Sequence, residues 1–417
     1  MKIKQGEKGQ SIVLIVISLV GLIAMAALIV DGGNAYLNRR NAQTAADAAV
    51  LAAAYEKCVL NTPDLDLQTI VDEYAVTQNG ADSATYSVDY PSGYFKGRIS
   101  VETTIIEKTF FAKVFNQPTV TVKADAAAGC FLPASAENII PVAWTCRQAV
   151  GGSTNDCFIK KIQHSDWNAI VATLGKDWFK TKPASASDPL HLLDDGTHGS
   201  PSTYYDNSGG PMIYLVMDDD SFDMSLCQEA GLGGIINCDF DDDGYYDIEG
   251  GADRGWLYLD GVGSSDLSTI MRTGYPDVLE LPQWFPGKSG VSASVFDAAE
   301  DIKFRISLLP VFNALCEDTY DHSLTTDCPT EYQTGDLIAQ TAGSAGSQPF
   351  YRVPGVAAFV ITCVSKVTSD YCPGKELAGL KHNVSTIEGY FIEGFSTNAQ
   401  IGQGGFDLGV YVLSLTE

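Results

Sequence analysis

Between Ser11 and Val30 the chain reads SIVLIVISLVGLIAMAALIV, twenty consecutive residues without a charge. As a helix rising 1.5 Å per residue this stretch is about 30 Å long, the thickness of a bilayer's hydrocarbon core. Its softest positions, Ser11, Ser18 and Gly21, are all tolerated in lipid. A cleaved secretory signal is the competing reading. Signals carry a shorter apolar core, about 7–15 residues, ahead of a small-residue cleavage site. Here the core is longer and an Ala-rich helical pattern follows directly, which favours an uncleaved anchor. Lys2, Lys4 and Lys8 precede the stretch against one acid, Glu7, and Asp31 follows it. That bias places the N-terminus in the cytoplasm and the remainder outside. Arg39 and Arg40 weaken the bias. The ten cysteines, an even number, restore it, because disulfides persist outside the cytosol.

The helical pattern continues past the apolar stretch. Tyr36 to Tyr55 is rich in strong helix formers, with Gly32-Gly33 as a candidate kink. Ala45, Ala46, Ala49, Ala52 and Ala53 form a small-residue surface that lets another backbone approach closely. Two partners fit such a surface: this chain's own extracytoplasmic domain, or other subunits.

Within this region Lys8 to Ala54 resembles the N-terminal module of TadE/TadG-like Flp pilus-assembly proteins. The resemblance is carried by Gly9-Gln10, Asp31-Gly32, Arg40, Gln43 and Ala45-Ala46-Asp47-Ala48-Ala49. It extends more loosely through Thr109-Phe-Phe-Ala-Lys-Val-Phe-Asn116 and the Ala-Asp-Ala-Ala-Ala-Gly129 run to Cys130. It implies a structural role at the membrane, with lipid and pilus-assembly proteins, or copies of itself, as partners. In one respect the sequence departs from processed pilins. These carry a Glu five residues after the Gly, and Leu14 stands there, which weighs against cleavage after Gly9 and against a main-subunit role.

Beyond the helix, residues 57–130 read as a small α+β domain. A short amphipathic helix is expected over Leu67–Thr77, with Ile70, Val71, Tyr74 and Val76 on its apolar side. Strands are expected at Ala84–Tyr90, Arg98–Glu107 and Thr119–Lys123. Residues 131–417 read as a β-rich head, with buried strands at Ile139–Thr145, Met212–Met217, Trp256–Leu259, Val356–Val364, Thr386–Phe391 and Val410–Leu415. The expected organisation is therefore α+β. A transmembrane and stalk helix over 1–56 is followed by the small domain and a disulfide-stabilised extracytoplasmic head.

Eight of the cysteines fall in close pairs, Cys146/Cys157, Cys227/Cys238, Cys316/Cys328 and Cys363/Cys372, which favours short disulfide loops. Cys58 and Cys130 then close the remaining long loop. Spacing alone does not fix the connectivity. No Cys-x-x-Cys occurs, which argues against a zinc ribbon or a thioredoxin-like site.

The net charge is −26, from 52 acidic and 26 basic residues, which excludes a nucleic-acid binder. The acids concentrate in 183–260, where 17 stand against Arg254 alone. Inside this segment Asp239-Phe-Asp241-Asp-Asp243-Gly244-Tyr-Tyr-Asp247 fits an oxygen-rich calcium loop. Asp239, Asp241 and Asp243 converge on the ion and Gly244 permits the tight turn. The Tyr245 carbonyl and Asp247 complete most of the shell. An EF-hand needs Glu at the twelfth position, which is Gly250, so the loop resembles those of thrombospondin type-three repeats or dockerins instead. An acidic turn without metal is the plainer alternative. No nucleophile elbow, zincin motif or complete P-loop occurs, the five histidines are scattered, and the chain reads as a non-enzyme. The leading expectation is a single-pass, calcium-stabilised structural component of a Tad/Flp pilus or its assembly machinery. A filament subunit packed through the helix, and an adhesin whose acidic head binds a glycan or cell-surface ligand, are the alternatives.

Ca²⁺ bound only by the folded head would add roughly 2.7 kcal/mol at a hundredfold excess over Kd. Chelation with EGTA is therefore expected to lower the melting temperature. Asp241→Ala with Asp243→Ala should lower it similarly and remove the chelator's effect. A melting curve indifferent to EGTA, with no calcium by elemental analysis, leaves only the acidic turn.

Overall fold

The computed structural model describes residues 10–145, 161–180, 214–218, 248–249, 256–259, 264–287, 293–312, 314–316, 350–366, 372, 385–396, 399–402 and 407–416. They form two compact units, one of Met1–Cys130 with Leu413–Glu417, the other Phe131–Val412.

The first unit is built on one helix, α1 (Gln10–Cys58, 49 residues), about 74 Å long at the standard rise. The helix runs unbroken through Gly32-Gly33, the candidate kink. The two halves of α1 have opposite environments. Ile12, Leu19 and Leu28 are 64%, 56% and 77% exposed, as is typical of the whole apolar stretch. From Ala42 onward, Ala42, Ala45, Ala46, Ala49, Val50, Ala53 and Ala54 are fully buried. Spacings of three and four put these on one face. Ala52, on the edge of that face, is half-buried.

That face packs on the elements that follow it. Helix α2 (Gln68–Asp72) runs directly into a π-helical turn, Glu73–Thr77. Leu67, Val71 and Ala75 face α1. The expected helix is present, but its buried stripe is 67/71/75, while Tyr74 is 37% exposed. Residues four apart share a helix face, and the wider π turn holds Ala75 on it. A β-sheet covers the rest. Its strands on this side are β1 (Ser83–Asp89), β2 (Phe95–Lys108) and β3 (Thr119–Pro133), each antiparallel to the next. Ile99, Val101 and Ile105 of β2, with Ala124 and Ala128 of β3, complete the core. Each buried Ile or Val contributes about 1.5–3 kcal/mol.

Two further ties hold this unit. The Cys58–Cys130 disulfide joins the end of α1 to β3, with Cα atoms 6.2 Å apart and a sequence separation of 72. Closing a loop of that length removes about 4 kcal/mol of unfolded-state entropy in the chain-entropy model. Beyond α1, the Asp64 carboxylate accepts hydrogen bonds from the Lys57 ammonium and the Tyr90 hydroxyl. Lys57, and then Tyr90, hold the Asp64 carboxyl below the usual carboxylate range. The β2–β3 ladder shifts register between Phe95 and Arg98, where Gly97 takes φ +101°. A side chain there would meet the Asp89 carbonyl at 3.0 Å and the Tyr90 ring at 3.1 Å.

The second unit centres on a mixed sheet. Its strands in chain order are β4 (Trp144–Thr145), β5 (Ile162–Gln163), β6 (Tyr214–Asp218), β7 (Ile248–Glu249), β8 (Ile306–Phe312), β9 (Gly355–Ser365) and β10 (Ser385–Glu393). The spatial order is β4-β8-β9-β10-β6-β7, with β5 also beside β10. Every residue of β9 is buried. A strand covered on both faces reads as a continuous apolar run, and GVAAFVITCVS does so. Successive side chains of β10 serve opposite faces. Tyr390 meets Trp167 and Phe179, while Phe391 meets Trp144 and Phe359. Trp144, Trp167 and Trp256 are all core residues. A Cβ at Gly389 would lie 2.1 Å from the Val360 carbonyl, so only glycine lets β9 and β10 approach there. The Cys363–Cys372 disulfide, with Cα atoms 5.8 Å apart, closes a short loop near the end of β9.

The expected strands at 356–364, 386–391 and 410–415 are present within Gly355–Ser365, Ser385–Glu393 and Val410–Thr416. The expected strand Ile139–Thr145 is not a single strand. Ile139 and Val142 make isolated bridges, and only Trp144–Thr145 pairs as a strand. Pro141 interrupts it, because proline has no N–H to donate. Trp256 and Leu257 likewise make isolated bridges rather than a strand.

The helix–sheet interface yields a direct test. Ala49→Leu forces three extra carbons into a filled contact and is expected to destabilise the first unit by about 1–3 kcal/mol. Ala52→Leu, at the edge, should cost less. Thermal melts of the two variants compare them. Equal, negligible effects would mean that this face is not packed internally.

Candidate functional site

The residues that stand out lie where α1 changes from exposed and apolar to buried and alanine-rich. Asp31 directly follows Val30, the last residue of the apolar stretch. Its Oδ1 accepts the Phe110 N–H at 2.9 Å. Its Oδ2 accepts the Phe111 and Ala112 N–H groups at 3.0 and 2.7 Å. These donors belong to the turn joining β2 to β3, which contains a 3-10 helix at Ala112–Phe115. A 3-10 turn begins with unpaired N–H groups, and a carboxylate satisfies them as a cap does. Asn116, in the left-handed conformation at φ 60°, ends the turn, a role for which asparagine is suited. Thr109 closes the strands, its N–H donating to the Pro118 carbonyl at 3.0 Å.

A second tie lies further along α1. Gln43 Nε2 donates to Asp47 Oδ1 at 2.8 Å and to the Asp125 carbonyl of β3 at 3.1 Å. Thr103 of β2, fully buried, donates its hydroxyl to the Ala42 carbonyl at 2.8 Å. The small alanine side chains let β2 lie close enough for that bond. Asp31 fastens the helix to the hairpin at one level, Gln43 and the Thr103–Ala42 bond at another, and alanines fill the space between. A shallow pocket between helix and hairpin is lined by Asp31, Asn34, Ala35, Glu107, Lys108, Thr109 and Val120.

This arrangement defines a class: a helix long and apolar enough to cross a membrane, continuing into a domain clasped along its second half. Residues 9–56 match the family described as "Putative Flp pilus-assembly TadE/G-like". No curated protein and no solved structure matches the chain. The matched region covers most of α1, and the residues carrying the resemblance acquire physical roles. Asp31 caps the hairpin turn, Gln43 bridges to β3, and Ala45, Ala46, Ala49 and Ala53 are buried, with Ala52 half-buried. The link between Asp31 and Phe110–Ala112 spans some eighty residues of sequence. Its only signal was that both ends belong to stretches carrying the same resemblance.

The calcium-loop residues Asp239, Asp241, Asp243, Tyr245 and Asp247 lie outside the described residues, as do Cys146, Cys157, Cys227, Cys238 and Cys328. Cys316 lies in the short strand Ala314–Cys316. Among the described residues, Cys363, Cys372 and Glu388 lie close enough together to share a metal ion. The two cysteines are joined in a disulfide, so they offer no thiolates.

Replacing Asp31 by alanine removes three acceptor contacts at once without touching the alanine face. Amide exchange of Phe110, Phe111 and Ala112 is expected to accelerate several-fold, while that of Ile99 and Val101 in β2 stays unchanged. Unaltered exchange at the turn would show that the carboxylate does not hold it.

Proposed function

We propose that this protein is a membrane-anchored structural component of a Tad/Flp-type pilus or of its assembly machinery. Its apolar helix sits in the cytoplasmic membrane, with the N-terminus inside and the two folded units outside. The observation that carries this reading is the coincidence of the family match at 9–56 with a helix whose apolar half is exposed among the described residues. In water an uncovered stretch of that size is strongly unfavourable, and lipid relieves the cost. The extracytoplasmic placement draws support from Lys2, Lys4 and Lys8 and from the disulfides at Cys58–Cys130 and Cys363–Cys372.

The role is structural rather than enzymatic, and lipid and pilus-assembly proteins are its partners. Ca²⁺ held by Asp239, Asp241, Asp243, Asp247 and the Tyr245 carbonyl stabilises the acidic segment in this reading. A polymerising subunit is the second reading. The burial of Ala42, Ala45, Ala49 and Ala53 against the chain's own strands favours the anchor, since that face is already occupied. Filament packing would have to use Ser11–Val30 instead.

Two measurements test the proposal together. After reduction, a membrane-impermeant thiol reagent is expected to label the protein in intact spheroplasts, and the chain should fractionate with membranes. Labelling only after lysis would reverse the topology. Recovery chiefly in sheared surface filaments would favour the polymerising reading.

A further inference from the structure

The hairpin that Asp31 holds has a defined direction. Thr103 bonds to Ala42 and Phe110 bonds to Asp31, so β2 runs back along α1 toward the apolar stretch. The helix covers about 16 Å between those contacts at 1.5 Å per residue. The strand and the start of its turn cover about 23 Å at 3.3 Å per residue. The tip of the β2–β3 hairpin therefore lies level with Asp31, one residue beyond the segment that fills a hydrocarbon core.

The composition of that tip is unusual for a solvent-facing turn. Phe110 is 60% exposed, and Phe111 beside it is half-buried. Lys108 and Lys113, on either side, are both exposed. Tyr36, on α1 just past Asp31, is 64% exposed. Aromatic rings flanked by lysines suit the boundary between acyl chains and headgroups, where rings sit among the glycerol groups and ammonium groups reach phosphates.

We propose that the hairpin tip, Phe110–Lys113, is a second membrane contact. Phe110 enters the interfacial layer of the bilayer, and Lys108 and Lys113 meet lipid phosphates. Its occupant is the lipid surface because the clasp to Asp31 fixes its height. The inference rests on the anchor reading above. A helix held at its exit by a lipid-seated hairpin cannot pivot freely, so the contact would set the orientation of the first unit on the membrane.

The test uses the full chain in phosphatidylethanolamine–phosphatidylglycerol vesicles, with a benzophenone amino acid placed singly at Leu19, Leu65, Phe110 or Lys113. Illumination and intact-mass measurement read what each position touches. A phospholipid adduct is expected at 19, 110 and 113. None is expected at 65, which is 90% exposed at the other end of α1's folded half. The benzophenone replaces an exposed ring at 110, and an unchanged melting curve confirms folding. Lys113 serves as the second reporter. An adduct at 19 but at neither 110 nor 113 overturns the hairpin contact and leaves the anchor standing. A covalent dimer through 110 would overturn it in favour of a second copy of this chain. No lipid adduct at 19 would defeat the anchor reading, and this inference with it.

Discussion

The first unit depends on how closely a helix and a sheet approach when one of them presents only methyl groups. Alanine at 42, 45, 46, 49, 53 and 54 brings the β2 backbone near enough for Thr103 to bond a helix carbonyl. Larger residues would hold the layers apart and lose both that bond and the Gln43–Asp125 bridge. Alanine is also the strongest helix former, so the choice that permits close packing also keeps α1 rigid. Little apolar area is buried per alanine. Leu67, Val71, Ile99, Val101 and Ile105 add larger apolar side chains to the same core, and the Cys58–Cys130 disulfide adds its constraint at the far end.

Rigidity has a mechanical consequence. An uninterrupted α1 transmits position from its apolar half to the folded half, and the Asp31 clasp removes the freedom that Gly32-Gly33 would otherwise introduce. The pilus-assembly family match falls on this element. Within this chain, the matched residues Asp31 and Gln43 tie α1 to the β2–β3 hairpin.

The second unit follows different rules. Its core is a mixed sheet whose central strands are covered on both faces, with aromatic side chains alternating across β10. One polar cluster lies within it. The Tyr411 hydroxyl, fully buried as a residue, lies 3.0 Å from Asp407 Oδ1 and 3.2 Å from Glu393 Oε1, and Lys161 donates to the Asp407 carbonyl at 2.8 Å. Burial, and then these two carboxylates, push the tyrosine far above its usual range, so it stays a neutral donor at physiological pH. Such a cluster favours one arrangement of the segments around Lys161, Glu393 and Asp407–Tyr411, because a mispaired alternative would leave buried polar groups unsatisfied.

The sequence by itself determined the features that follow from local periodicity. These are the length and apolarity of Ser11–Val30, the helical continuation over Tyr36–Tyr55, and strands with unbroken apolar runs such as Val356–Val364. Both disulfides within the described residues, Cys58–Cys130 and Cys363–Cys372, match pairings that spacing favoured but did not fix. Strands carrying proline were not legible. Pro310 lies inside Ile306–Phe312, which nonetheless pairs on both sides, and Pro141 breaks what reads as a strand. Local pattern reports the missing N–H but not whether the neighbouring strand needs it. The helix over Leu67–Thr77 buries Val71 as its pattern predicts, but the π turn over Glu73–Thr77 puts Ala75 rather than Tyr74 in the core. Only the tertiary structure decided which partner the alanine face takes and what Asp31 does. Both depend on contacts between residues some sixty to eighty positions apart, and composition fixes the capacity for such contacts without fixing the partner.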